Sequence, residues 1–214
     1  MNQRRILLIG ALLLAILAIA AYSLQGNFAK NTGGPRVLVA YFSRAGENYG
    51  VGYIEKGNTA VLAEMIAEET GGDLFEIKTK NPYPESLKPT LDLARKEQKE
   101  GARPALDGQV RNLADYDVIF LGYPIWYSDM PMAVYSFLEQ NKLEGKTIVP
   151  FSTSMSGDLS GNEKNIPLHA KGTNVLNGFS FKGKLVHDSP DAVRPAVQEW
   201  LRNVGWDVVS KGEK

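Results

Sequence analysis

The sequence predicts an α/β domain built on a doubly wound, five-stranded parallel sheet, and three observations predict it. Short apolar runs such as Val37–Phe42, Val118–Leu121 and most of Lys146–Ser152 are continuous rather than alternating, as in strands covered on both faces. Amphipathic helical patterns fall between them, which implies crossover connections and helices on both sides of the sheet. Unusual loops follow the first, third and fourth strands. Sheets of this kind bind ligands beyond the carboxyl ends of their strands, where the strand order reverses.

Composition narrows the function classes. The chain has 214 residues, with Lys+Arg 24 and Asp+Glu 24, so its formal charge is zero and offers no electrostatic case for nucleic-acid binding. Cysteine is absent, which excludes disulfides, thiolate catalysis and thiolate metal sites. His169 and His187 are the only histidines, and neither has a second ligand at metal spacing, so no metal is expected.

Residues 1–24 read as an export segment. Arg4-Arg5 precede an uncharged apolar run from Ile6 to Ala21, and Ala18-Ile19-Ala20 offers a small-x-small cleavage site. A cleaved signal peptide is the first expectation and an uncleaved membrane anchor the second. Gln3-Arg4-Arg5-Ile6-Leu7-Leu8 also resembles a twin-arginine signal, a route that carries folded proteins with cofactor bound. Either way the domain is expected outside the cytoplasm, in contact with a membrane only through this segment. Residues 25–35 form a glycine-bearing linker, and the folded domain is expected over 36–210.

Val37–Phe42 is the first strand. A helix starts near Asn58 or Thr59, either of which can cap it; Val61, Leu62, Met65 and Ile66 share its apolar face, and Gly71-Gly72 stop it. A second strand is expected over Leu74–Thr79 and a polar helix over Leu91–Glu100. Val118–Leu121 is the third strand. A helix follows from Pro131, with Ser128 or Asp129 as cap. Lys146–Ser152 is the fourth strand, Asn162–Ala170 holds a short helix, and the fifth strand lies within Val175–Leu185. Ser189-Pro190 opens a last helix that buries Val193, Val197, Trp200 and Leu201, with Pro195 marking a kink or a later start.

The first loop offers the hydroxyls of Ser43 and Thr59, the amide of Asn58 and backbone N–H groups near Gly46 and Gly57. Next to a helix N-terminus, such donors can surround a phosphate without a buried cation. Roughly 15 residues separate strand and helix, against about two to six in an ordinary connection. The excess, Glu47 to Lys56, carries Tyr49 and Tyr53 and reads as a lid. Neither a triphosphate-binding Gly-Lys-Ser/Thr ending nor Gly-x-Gly-x-x-Gly is present. The second loop brings Tyr123, Trp126 and Tyr127 together between the stiffening Pro124 and Pro131. A flat ring stacking on them is one reading, and Trp126 packing beneath the next helix is the other. The third loop supplies Ser152, Thr153, Ser154, Ser156 and Gly157 for a ligand's polar edge. A phosphate, a flat ring and a polar edge describe a mononucleotide, and flavin mononucleotide (FMN) fits best.

Tyr-Phe-Ser-Arg at the end of the first strand and Gly-Tyr-Pro-Ile-Trp after the third carry a resemblance to the flavodoxin-like proteins, over Arg36 to about Gly205. The resemblance implies strand order 2-1-3-4-5 and FMN as cofactor. It places Ser43, Arg44, Ala45, Gly46, Asn58 and Thr59 at the phosphate, Pro124, Ile125, Trp126 and Tyr127 at one edge of the ring, and Thr153, Ser154, Ser156 and Gly157 at the other. The insertion between Gly46 and Asn58 splits the phosphate motif. Electron transfer is the function implied, with a redox partner protein or a small quinone-like acceptor. An NAD(P)H:quinone-type reductase and a non-redox ligand-binding module are the alternatives. Asp129, beside the ring loop, either lowers the flavin's potential or caps the helix.

Overall fold

The structure, a computed structural model, describes residues 34–206. The expected export segment and residues 25–33 of the expected linker lie outside the described residues, and Pro35 opens the unit that carries the fold. Among the described residues no helix is long and apolar enough to cross a membrane.

The first element of the described residues is β1 (Val37–Tyr41), buried at every position. The expected lid is a hairpin of β2 (Gly46–Asn48) and β3 (Gly52–Ile54), paired antiparallel. Helix α1 (Asn58–Thr70) follows and ends as expected on Gly71, whose φ of 69° places it in the left-handed region. The second strand divides into β4 (Asp73–Glu76) and β5 (Lys78–Thr79). Helix α2 (Leu87–Glu100) starts four residues earlier than its apolar pattern suggests. Then come β6 (Leu106–Asp107), which pairs antiparallel with β5, β7 (Val118–Pro124), α3 (Met132–Gln140) and β8 (Thr147–Ser154). A single 3-10 turn at Asn162–Asn165 leads into α4 (Ile166–His169). The rest is β9 (Asn174–Val175), β10 (Phe179–Lys182), α5 (Gly183–Asp188) and α6 (Pro190–Asn203).

The main sheet runs β4-β1-β7-β8, with β9 and β10 both parallel to β8, so its order is 2-1-3-4-5 with the fifth position shared. Its two faces divide the apolar runs. Leu38, Ala40, Ile119 and Leu121 pack with α3, while Val39, Phe120, Val149 and Phe151 pack with α1 and α6. Both sets are buried, which is why these strands read as continuous apolar runs.

The fifth strand breaks where β8 places a proline. The carbonyls of Lys146 and Ile148 accept from Asn174 and Leu176, so by alternation Pro150 faces the same neighbour, where it has no N–H to give. Gly178 sits at the break, and a Cβ there would come within 2.5 Å of the Pro150 carbonyl oxygen. The residues after β10 are helical rather than extended: α5 occupies the end of the expected strand.

Arg103 donates to both carboxylate oxygens of Glu139, at 2.7 and 2.8 Å, and His169 Nδ1 lies 2.7 Å from Glu139 Oε1. These contacts join the segment after α2 to α3 and α4. The Arg103 hydrogen bonds, then His169, hold the Glu139 carboxyl down at about 2 from an ordinary 4.5. The pair therefore contributes its stability above the unfolded value and loses it as pH falls through about 2. Wild type and Glu139→Gln, compared by thermal melting from neutral pH downward, are expected to differ most at neutral pH and to converge at the acid end.

Candidate functional site

The carboxyl ends of β1, β7 and β8 carry the three loops, and the structure joins them. From the β1 loop, Ser43 Oγ accepts from the Ala60 N–H of α1 at 3.1 Å. The expected caps do not act: the residue preceding α1 is Gly57, and no side chain of its own caps the helix. Ser43 does this work across the insertion, and its own O–H has no acceptor among the described residues. Gly57 is required by the fit, since a Cβ there would stand 2.6 Å from the Arg44 carbonyl oxygen and would also strike Ser43 Oγ.

The first and third loops meet at a buried hydroxyl pair, Thr59 Oγ1 and Thr153 Oγ1, 2.9 Å apart. Removing one partner strands the other, at about 1–3 kcal/mol. Thr59→Val and Thr153→Val are each expected to destabilise by that order in urea unfolding, and the double variant by less than the sum. The second and third loops are tied by the Ile125 N–H donating to the Thr153 carbonyl at 2.9 Å.

Within the second loop Trp126 and Asp129 exchange backbone hydrogen bonds of 2.8 and 3.0 Å. The turn they close holds Tyr127 at φ 49° and Ser128 at φ 61°. Two successive non-glycine residues in the left-handed region cost on the order of 1–3 kcal/mol each, and such strain collects at functional sites. Asp129 is not the cap of α3, which starts after Pro131 without a side-chain cap. Its Oδ1 instead accepts from Met130 N–H and the Tyr135 hydroxyl, both at 2.7 Å, and so holds the loop.

The three aromatics separate. Tyr123 is wholly buried, its hydroxyl has no partner among the described residues, and burial pushes its pKa up, so it is not part of an exposed aromatic cluster. Trp126 packs edge-on against Phe42 and Tyr83, with centroids 5.4 and 5.1 Å away, and still borders the cavity. Tyr127 is exposed, with the Arg95 guanidinium 4.7 Å from its ring centroid.

In the third loop Ser154 Oγ accepts from the N–H groups of Gly157 and Asp158, at 2.8 and 3.1 Å. Ser156 is exposed and donates to the Asp158 carboxylate, a contact that heads the causes holding that carboxyl below its usual range. Ser152 is buried and donates to Ser180 at 2.7 Å, so it serves the sheet.

The loops enclose a cavity of about 480 Å³. Of the residues expected at the site, Arg44, Asn58, Pro124, Ile125, Trp126, Tyr127, Thr153 and Ser154 line it. Ser43, Ala45, Gly46, Thr59, Ser156 and Gly157 do not line it. The Arg44 guanidinium donates at 3.0 Å to the carbonyls of Ala45, Pro84 and Glu85, and also to that of Glu47, so its charge clamps the hairpin. Burial lowers its pKa, and Glu47 opposes that shift. Asn58 Oδ1 is buried and has no partner among the described residues.

The structure adds lining that sequence reasoning did not assign. Leu87, Thr90 and Leu91 come from α2, Met155 from the third loop, and Gly183 and Lys184 from α5. Helix α2 reaches the site because the Glu47 carboxylate accepts from Leu87 N–H at 2.8 Å, which caps the helix from the hairpin. Gly183 had a signal, a glycine in an expected strand; a Cβ on it would lie 2.9 Å from Asn58 Nδ2.

Fold and site together define a doubly wound α/β protein with one cavity at its switch point, walled by a helix N-terminus, an aromatic loop and a hydroxyl-rich loop. The chain belongs to the flavodoxin family, whose profile matches residues 36–204. A Bacteroides uniformis protein assigned to the flavoproteins is 29% identical, covering 79% of this chain and 99% of its own, with a TM-score of 0.61. One from Bacteroides eggerthii is 27% identical over 81% and 100%, with a TM-score of 0.62. A Lactobacillus acidophilus flavoprotein solved in complex with FMN has the same fold at 22% identity, over 72% and 97%, with a TM-score of 0.56. No curated protein matches the chain.

Proposed function

We propose that this chain binds FMN in the cavity between its three loops and acts as an exported electron-transfer protein. The observation that carries the reading is the convergence of the three loops on one cavity that leaves a buried acceptor, Asn58 Oδ1, without a donor among the described residues. Membership of the flavodoxin family and the likeness to the two Bacteroides flavoproteins support it.

The residues fit the cofactor. The α1 N-terminus, the Ser43 O–H and Asn58 Nδ2 offer donors for a phosphate. Asn58 Oδ1 suits the hydroxyl-bearing chain between phosphate and ring. Trp126, Tyr127 and Ile125 offer one wall for the ring, and Ser154 and the backbone of the third loop would hold its polar edge. The volume lies in the range of about 300–1,000 Å³ usual for ligand sites. Bound there, FMN supplies reversible electron uptake, while the protein sets its orientation, access and potential. The remaining predicted residues act through these. Ala45, Gly46 and Arg44 shape the phosphate loop, Thr59 holds Thr153, and Pro124, Ser156 and Gly157 shape the ring loops.

The test is an absorption spectrum of the purified full chain after incubation with FMN and gel filtration. Flavin bands eluting with the protein at about one per chain support the reading. Flavin that elutes wholly apart from the protein overturns it. The electron-transfer partner is a redox protein or a small quinone-like acceptor. The export reading rests on residues 1–24, and recovery of the chain in the cytoplasmic fraction would overturn it.

A further inference from the structure

We infer that Tyr83, locked by Glu97, is a positioning residue for Trp126 and so sets the ring wall of the cavity from outside it. The inference rests on the FMN reading above and adds residues that act on the flavin without touching it.

Trp126 lines the cavity, whereas Tyr83 and Glu97 do not. Trp126, Tyr83 and Phe42 form a closed set of three rings. Their centroids lie 5.1 Å apart for Tyr83 and Trp126, 5.4 Å for Phe42 and Trp126, and 5.5 Å for Phe42 and Tyr83. The rings are close to mutually perpendicular, at 79°, 85° and 86°. Edge contacts depend on orientation, and each ring here meets both others, so none of them turns alone. Phe42 is buried and held by the core. Tyr83 is held differently. Its hydroxyl donates to Glu97 Oε2 at 2.6 Å, the length of a strong O–H to carboxylate bond.

The backbone that carries Tyr83 is fastened first. Pro82 and Pro84 flank it with fixed φ. The Pro84 carbonyl accepts from the Arg44 guanidinium at 3.0 Å and from Thr90 Oγ1 at 2.7 Å, which ties the segment to the β1 loop and to α2. Glu97, further along α2, then fixes the side chain. Both partners are half-buried. Burial pushes the Glu97 carboxyl up, and the bond from Tyr83 opposes that shift. Burial, then Glu97, pushes the Tyr83 phenol up, so it stays protonated and donates. A ring wall set in advance needs no ordering when a ligand arrives, which favours binding. Without the Glu97 bond, Tyr83 is free to shift, and Trp126 loses one of the two rings that orient it.

The experiment titrates the full chain with FMN, followed by flavin fluorescence, and records the visible circular dichroism of the bound flavin. That dichroism reports the surroundings of the ring and does not follow global stability. Tyr83→Phe is expected to weaken FMN about five-fold and to change the dichroism. Glu97→Leu is expected to do the same from the other end of the bond, and serves if Tyr83→Phe does not fold. Glu97→Gln keeps a carbonyl that accepts from the phenol, and is expected to stay within about two-fold of wild type. In a Trp126→Phe background, Tyr83→Phe is expected to change affinity by less than about two-fold, because its effect passes through Trp126. Wild-type affinity and dichroism in both Tyr83→Phe and Glu97→Leu overturn the positioning role alone. So does a Tyr83→Phe effect that is undiminished in the Trp126→Phe background. A wild-type chain that retains no FMN overturns the positioning role and the functional reading together.

Discussion

Gly122→Ala is expected to destabilise the domain by about 3 kcal/mol, at the upper end of ordinary overpacking. Gly122 lies in β7 directly beside Phe151 of β8. The Phe151 ring lies over it, so that a Cβ would stand 2.5 Å from Cε2 and 2.9 Å from Cε1, and would strike Cζ as well. Phe151 is fully buried among Phe120, Val149 and Phe181, so its ring has no free space to yield into. Urea unfolding of wild type and variant measures the effect. A loss below about 1 kcal/mol would mean that the ring moves aside, and the close fit would then not be what places glycine there. Because β7 runs into Pro124, the same variant is expected to weaken FMN retention.

Gly57→Ala acts on the site itself. Its backbone φ of −66° suits any residue, so the effect is one of space and not of conformation. The added methyl meets Arg44 N at 2.8 Å and the Arg44 carbonyl oxygen at 2.6 Å, besides Ser43 Oγ. Neither backbone atom can turn away as a side-chain end can. The β1 loop must move off α1, which breaks the Ser43 to Ala60 hydrogen bond. The expected outcome is about 2 kcal/mol of destabilisation together with at least a ten-fold loss of FMN affinity. Ser43→Ala separates the two effects. It removes the cap for about 1 kcal/mol without adding bulk, and is expected to weaken FMN less than Gly57→Ala does. Equal affinity in all three proteins would remove the phosphate loop from the binding site.

The local pattern carried much of the architecture. Val37–Phe42 and Val118–Leu121 read as buried strands because every residue meets an apolar neighbour on one face or the other, a condition visible in one dimension. The same holds for α6, whose predicted apolar face is buried, and for most of α1, where Leu62, Met65 and Ile66 are buried and Val61 is half-buried. Where the local pattern does not decide, the deciding partner is distant in sequence. Helix α2 begins at Leu87 because Glu47, 40 residues earlier, caps it. Tyr123 and Trp126 lie three residues apart, yet one faces the core beneath the sheet and the other rests on Phe42 and Tyr83. Asp129, for which a helix cap is one of two sequence readings, holds a loop through Tyr135.

The sequence by itself determined that this is a doubly wound α/β chain with three unusual loops at one end of its sheet, because apolar periodicity, glycine, proline and loop length are local properties. Only the tertiary structure decided how those loops become one site. The Thr59–Thr153 hydroxyl pair, the Ser43 cap across an insertion, the Arg44 clamp and the break of the fifth strand at Pro150 each depend on atoms that meet across crossovers. Contacts of a few ångströms between segments tens of residues apart leave no periodic trace in the chain, and so they become visible only once it has folded.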